Sequence, residues 1–196
     1  MRKAFILLLF HTTFMTMLMG QNIDIKLLRD INLGRNTSLN PALRVVTNSI
    51  TPLAIGTPVI IFGIGYLKND SLLKQNALYV GATMLTAALI TNIIKYSVNR
   101  PRPFETYPDI EKVARAGSPS FPSGHTSNAF SLATSLSLSY PKWYIIVPSY
   151  LWAATVAYSR MDLGVHYPSD IIIGAVIGAG SAYLCYKINK KIRSCR

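Results

Sequence analysis

Residues 75–94 read QNALYVGATMLTAALITNII, an unbroken stretch without a charged side chain, and the residue that ends it is Lys95. An α-helix rises about 1.5 Å per residue, so about 20 apolar residues cross a hydrocarbon core of about 30 Å. The stretch therefore reads as a membrane-crossing helix that delivers a cation to the interface. The pattern repeats on both sides of it. Further uncharged runs occupy residues 4–23, 45–67, 116–141, 143–159 and 171–186. The shorter ones reach across with snorkelling ends. The sequence predicts an all-α, polytopic membrane helix bundle of about six transmembrane helices, the first of them retained or removed as a signal peptide.

Composition supports that reading. Half of the 196 residues are hydrophobic and only 14% are charged, too few for an ordinary soluble surface. Twenty Lys and Arg against eight Asp and Glu give a net charge of +12, an excess that on a soluble chain would raise nucleic acid as a partner. Here Lys187, Lys190, Lys191, Arg193 and Arg196 gather directly behind the last apolar run. Such a cluster fits the positive-inside rule and anionic headgroups, and argues against nucleic acid binding. Cys185 and Cys195 sit at or beyond the last span and make no disulfide framework. With His11 in the leader, only His125 and His166 are left as imidazoles, and no Cys-x-x-Cys occurs. No metal site and no cofactor is expected.

In chain order, Met1-Arg2-Lys3 precedes an apolar core that closes on Gly20-Gln21. Residues 1–20 fit a secretory signal peptide cut after Gly20 or a retained first helix; Leu18 is a poor match to the small residue that cleavage prefers. Residues 21–196 form a single domain. Residues 21–44 place Ile23, Ile25, Leu27, Leu28 and Ile31 among charges, which predicts an amphipathic helix on the outer interface and a turn near Asn40-Pro41. It serves as a connector or a substrate guide. The span 45–67 is loosened by Pro52 and Pro58, and residues 100–116 form a polar loop. Ser123, Ser127, Ser131, Ser135 and Ser139 repeat every four residues on the next helix, a face for close packing in which only Ser123 is given a chemical part. A loop over residues 159–169 precedes a last helix from about 168 to 187, whose Gly174 and Gly178 make another packing face. Counting crossings from a basic interior places the loops after Gly20, Ile94 and Ser159 outside, on one side.

Three pieces meet there. Pro122-Ser123-Gly124-His125 opens a helix, where Ser caps, Gly permits close backbone approach and the free N–H groups favour an anion. His166 stands four residues before Asp170 at the next helix start, so the carboxylate can hold one imidazole nitrogen and leave the other free to attack. As a lone pair, that arrangement is equally the chemistry of a helix cap. Lys95, Arg102 and Arg160 lie at membrane ends, where snorkelling is the bland role, and Arg100 competes with Arg102 for a phosphate contact.

Lys95-x6-Arg102-Pro103, Pro122-Ser123-Gly124-His125 and Ser159-Arg160-x5-His166-x3-Asp170 together resemble the three-part signature of the type 2 phosphatidic acid phosphatase (PAP2) superfamily, in its membrane-embedded lipid phosphatase branch. The resemblance implies a nucleophile at His166 that becomes a phosphohistidine, and an orienting carboxylate at Asp170. It implies a general acid and then base at His125, and phosphate contacts from Lys95, Arg102, Ser123, Gly124 and Arg160. It also implies hydrolysis of a lipid phosphate monoester or diphosphate without a metal, on the outer (periplasmic) face of a bacterial inner membrane. Undecaprenyl diphosphate, lipid A phosphate, phosphatidylglycerol phosphate and phosphatidic acid all stand as substrates. Three alternatives stand beside it: a non-catalytic lipid-phosphate binding or transport protein, and a vanadium-dependent haloperoxidase or a soluble secreted acid phosphatase, whose soluble folds the uncharged spans oppose.

Overall fold

The computed structural model describes residues 23–194. The leader at residues 1–20, its cleavage, His11 and Cys195 lie outside the described residues. Every regular element within them is helical. Helix α1 covers residues 23–33. A single 3-10 turn, Thr37–Leu39, leads to α2 (Asn40–Asn48), α3 (Ile50–Leu67), α4 (Ser71–Val98), the short α5 (Pro103–Thr106), α6 (Gly124–Ser139), α7 (Trp143–Asp162) and α8 (Pro168–Ser194).

Local chemistry accounts for the boundaries. The Asp70 carboxylate accepts the N–H groups of Leu72 and Leu73 and so starts α4. Asn99 ends it in the left-handed conformation that asparagine tolerates. The Ser123 hydroxyl caps α6, and Pro168 supplies the preset first turn of α8. Asn40-Pro41, expected as a turn, instead opens α2, with the proline in its first turn. The expected span 45–67 is divided at Ser49, whose hydroxyl donates to Val46 O (2.7 Å) and accepts Trp152 Nε1–H (3.0 Å). The expected loop 159–169 is shorter than its sequence suggests: Ser159 and Arg160 belong to the last turn of α7, and α8 continues to Ser194.

Among the described residues, three helical stretches are long and apolar enough to cross a membrane: Thr37–Leu67, Ser71–Thr106 and Pro168–Ile192. Helix α4 has 28 residues, about 42 Å of length, against about 30 Å of hydrocarbon. With Ser71 near one interface, the last two turns and Lys95 stand at the other. Helix α6 falls outside those three because it has only 16 residues and is rich in serines and threonines. It tolerates them because it is the central helix, packed against α4, α7 and α8. Ser127, Ser131 and Ser135 are fully buried, whereas Val59, Leu85 and Val176 are more than half exposed. Polar residues inside and apolar residues outside are the arrangement a lipid solvent selects.

The α6–α8 contact sets the site. A Cβ placed on Gly174 would lie 2.7 Å from Ser123 O, and one on Gly178 would lie 2.8 Å from Ser131 N. Only glycine allows this approach. It brings the two helix starts together, and Ser123 N–H donates to Asp170 O at 3.0 Å.

Replacing Gly178 by Val should separate α6 from α8 and lower stability by about 1–3 kcal/mol, the usual range for overpacking. Gly180, which has nothing within 4 Å of a built Cβ, should accept Ala without loss. Thermal unfolding of both variants in detergent checks the contrast.

Candidate active site

The ends of four long helices converge on one region. Lys95 lies in the last turn of α4 and Arg160 in the last turn of α7. Gly124 and His125 are the first two residues of α6, and Asp170 lies in the first turn of α8. The connection from α7 to α8 is five residues long and reverses through Leu163-Gly164, where Gly164 takes φ +72°. The N–H groups of Val165 and His166 then bond back to Arg160 O at 3.1 and 3.2 Å. That fold-back presents His166 directly ahead of α8.

Asp170 has no solvent exposure and is met by four donors. Its Oδ2 accepts from His166 Nδ1 (3.2 Å), Tyr167 N (3.0 Å) and Ser120 Oγ (2.5 Å), and its Oδ1 accepts from Arg100 Nη1 (2.8 Å). A carboxylate so surrounded acts only as an acceptor, which puts the imidazole proton on Nδ1 and leaves Nε2 with its lone pair. Nε2 lies 3.4 Å from Arg102 Nη1. Burial pulls the His166 imidazole down from 6.5 to about 4, against the raising influence of Asp170. The ring is therefore neutral at pH 7.

The three expected cations are nearly inaccessible, at 5%, 5% and 3% exposure for Lys95, Arg102 and Arg160. Lys95 Nζ donates to Pro119 O (2.7 Å) and Pro122 O (2.9 Å). Arg102 donates to Ser118 O and Val165 O, both at 2.7 Å. Arg160 Nη1 donates to Thr47 Oγ1 at 2.9 Å, while its buried Nε has no partner among the described residues. Neutral carbonyls and a hydroxyl fix these side chains in place without cancelling their charge.

A cavity of about 330 Å³ lies between them, lined by Lys95, Arg102, Gly124, His125, Arg160 and His166, among others. Six of the eight sequence-predicted residues thus share one wall. The other two stand behind it. Asp170 reaches the cavity through His166, and Ser123 is fully buried, its oxygen accepting from Thr126 Oγ1 at 2.9 Å. Among the described residues, no three or more His, Cys, Asp or Glu side chains gather where they could hold a metal ion.

Several contributors were not singled out from the sequence. Arg100, weighed as a phosphate ligand, instead bridges Asp170 and Asp24, donating to Asp24 Oδ2 at 2.7 Å. It also stacks its guanidinium 3.8 Å from the centre of the Tyr167 ring. Asp24 in turn accepts from Ser169 N (2.8 Å) and Ser169 Oγ (2.5 Å). Helix α1 therefore caps the first turn of α8, and Ile25 and Leu28 pack beside Ile110 and Tyr167. Ser120 and Thr47 complete the list, and neither stands in a spacing that marks it.

Known proteins resemble this chain in sequence and in fold. A family model described as the PAP2 superfamily matches residues 76–194, more than half of the chain. A lipid A 4'-phosphatase of Bacteroides thetaiotaomicron is 41% identical over 78 residues, 40% of this chain and 35% of that protein. The aligned part is thus about a third of that relative's length. Undecaprenyl-diphosphatase BcrC of Bacillus subtilis is 27% identical over 154 residues, 79% of each chain. Among solved structures, a transmembrane PAP2-type phosphatidylglycerolphosphate phosphatase from Bacillus subtilis superposes with a TM-score of 0.74 at 25% identity, covering 88% of this chain and 87% of that one. LpxE of Aquifex aeolicus gives 0.73 at 25% identity, covering 84% and 95%.

Removing the shared cation with Arg100→Ala strands two buried carboxylates. The expected loss is about 2–3 kcal/mol, below the range for a fully buried pair because Arg100 is 22% exposed. Arg29, whose partner Asp109 is as exposed as itself, should tolerate the same change with little effect. Unfolding midpoints of the two variants in one detergent decide whether the Asp24–Arg100–Asp170 chain is a structural support.

Proposed function

Because this chain belongs to the PAP2 superfamily, we propose that it is a membrane lipid phosphatase that works through a phosphohistidine at His166. The observation that carries the reading is a buried neutral imidazole with Nδ1 tied to Asp170 and Nε2 on the wall of a cationic cavity. In the first step the Nε2 lone pair attacks phosphorus, an N–P bond forms, and the bond to the leaving oxygen breaks. His125 gives that oxygen its proton, so the lipid departs as an alcohol or, from a diphosphate, as a monophosphate. In the second step His125 takes a proton from water, the hydroxide oxygen attacks phosphorus, and the N–P bond breaks to restore His166. Asp170 balances the positive charge that the ring carries between the steps.

Lys95, Arg102 and Arg160 surround the position where the phosphoryl oxygens gain charge, with the first N–H groups of α6 beside them. Phosphoryl transfer depends mainly on positioning and charge stabilisation, and three fixed cations supply it. The reading is accordingly metal-independent. The cavity opens at the end of the bundle that carries residues 99–123 and 163–167, opposite Lys68, Lys74, Lys142 and the basic tail. With the positive-inside rule this favours an outer, periplasmic site in a bacterial inner membrane. The named activities of the similar proteins keep lipid A phosphates, undecaprenyl diphosphate and phosphatidylglycerol phosphate as the leading substrate classes, with phosphatidic acid beside them.

Two outcomes follow. His166→Ala should lose at least about a thousandfold of phosphate release while remaining folded in detergent, because the nucleophile is removed outright. Release by wild type should survive EDTA and be blocked by orthovanadate. Sustained turnover by His166→Ala contradicts the mechanism, and loss of activity in EDTA contradicts its metal-free form. The pH dependence carries a definite sign. With its pKa depressed to about 4, His166 is unprotonated above that pH and is lost as a nucleophile as pH falls through it. Rapid-quench measurement of phosphoenzyme formation should therefore place the acid limb of the nucleophile near 4. A limb near the ordinary value of about 6.5 contradicts the burial argument.

A further inference from the structure

A second and wider chamber of about 870 Å³ adjoins the catalytic cavity. Arg115, His125 and Arg160 line both spaces, while Arg44 and Lys112 line only the outer one. Among the described residues, no Asp or Glu lines either space. The nearby acids are taken up elsewhere: Asp109 by Arg29 at 2.7 Å, and Glu111 by Arg35. Arg44, Lys112, Arg115 and Arg160 thus face this volume with no carboxylate among the described residues lining it.

This wall is held in a fixed shape from several directions. The Asn32 side chain accepts Glu111 N–H (2.9 Å) and donates to Glu111 O (3.2 Å) and Asp162 O (2.8 Å). Arg44 Nη2 donates to Val113 O at 2.6 Å, and Val113 N–H donates to Leu163 O at 3.0 Å. Lys112 Nζ rests 4.2 Å from the centre of the Phe104 ring, which limits where its charge can swing. A single-sign cleft held rigid concentrates anions, and its cations gain charge-assisted hydrogen bonds when an anion arrives.

We propose that the outer chamber is a subsite for a second phosphate on the substrate, separated from the scissile phosphate by a sugar-sized headgroup. This rests on the phosphatase reading of the inner cavity. In a lipid diphosphate the two phosphorus atoms share a bridging oxygen, so the second group stays at the boundary, beside Arg115 and Arg160. Only a phosphate carried on a spacer reaches Arg44 and Lys112. The volume fits that choice, since small-molecule sites take about 300–1,000 Å³ and the outer chamber holds far more than one phosphate. The substrate class is a glycolipid phosphorylated at two positions, with one phosphate removed in the inner cavity while the other is held outside it.

The test uses the full chain in detergent micelles and compares phosphate release from lipid A bearing two phosphates with release from lipid A bearing one. The readout is the ratio of the two kcat/KM values. In the double variant Arg44→Gln/Lys112→Gln that ratio should fall about tenfold, as expected for two partly exposed charge-assisted contacts. Glutamine at position 44 is two bonds too short to keep the bond to Val113 O, so Arg115→Gln provides a second variant that leaves that bond alone; it should lower the same ratio. A ratio that holds within about twofold in both overturns the subsite. Undecaprenyl diphosphate forms the third arm: a tenfold loss confined to it overturns the spacer. Calorimetric binding of the same lipids separates the two levels. If nothing is hydrolysed, the phosphatase reading falls, yet selective weakening of two-phosphate binding in the double variant still supports the subsite, and equal binding overturns it.

Discussion

A carboxylate without water contact must find its donors inside the protein, and Asp170 finds them on segments far apart in the chain. Ser120 comes from the loop before α6, Arg100 from the end of α4, and His166 and Tyr167 from the turn before α8. Each donor that satisfies the carboxylate is thereby placed. The imidazole is oriented because its Nδ1 is one of the four, and the α4 exit is fixed because Arg100 is another. Arg100 passes the constraint on to Asp24, so α1 is drawn onto the first turn of α8. Leaving one of these groups unpaired in a water-poor interior would cost a few kcal/mol, far more than one ordinary hydrogen bond contributes. Orientation of the nucleophile and assembly of this end of the bundle are one physical problem with one solution.

The membrane shapes the remainder. With lipid as solvent, apolar burial gives helices little reason to associate, so the contacts are made by close approach and by polar groups in the interior. Gly174 and Gly178 let α8 lie against the backbone of α6, and Thr91 Oγ1 donates to Ser127 Oγ at 2.8 Å between α4 and α6. These contacts lie in the half of α6 nearest the cavity, where the same close approach brings Ser123 N–H to Asp170 O. Cations are then supported by carbonyls at Pro119, Pro122, Ser118 and Val165, which orient them without neutralising them. The cavity keeps its positive character for an anionic guest.

Spacing in the sequence was enough to place Lys95, one arginine of the α4 exit, Gly124, His125, Arg160 and His166 on one side, because each sits next to a helix end that charge and proline mark. The serine repeat and the Gly174–Gly178 pair were legible for a similar reason: a period of four lies on one helical face. Boundaries were less so. The bend at Ser49 depends on Trp152, which lies 103 residues away, and no local pattern announces that partner. Arg160 looked like a loop residue because charge usually ends an apolar run, yet its helix continues for two more residues. The parts played by Asp24, Ser120 and Thr47 could not be read at all. Each is a common residue in an ordinary context, and acquires its place only through a partner distant in sequence. Choosing between Arg100 and Arg102 needed the same information, since both are arginines on one short exit from α4.

Every step proposed for this site passes through phosphoryl transfer to one nitrogen. The measurement that tests that transfer most directly is alkaline-quench trapping of enzyme mixed with a radiolabelled lipid phosphate, followed by peptide mapping by mass spectrometry. Phosphohistidine survives alkali, so the label should appear on His166 within the turnover time and should be absent from the His166→Ala protein. Label on His125 or on no residue at all, while phosphate is still released, would contradict the central claim.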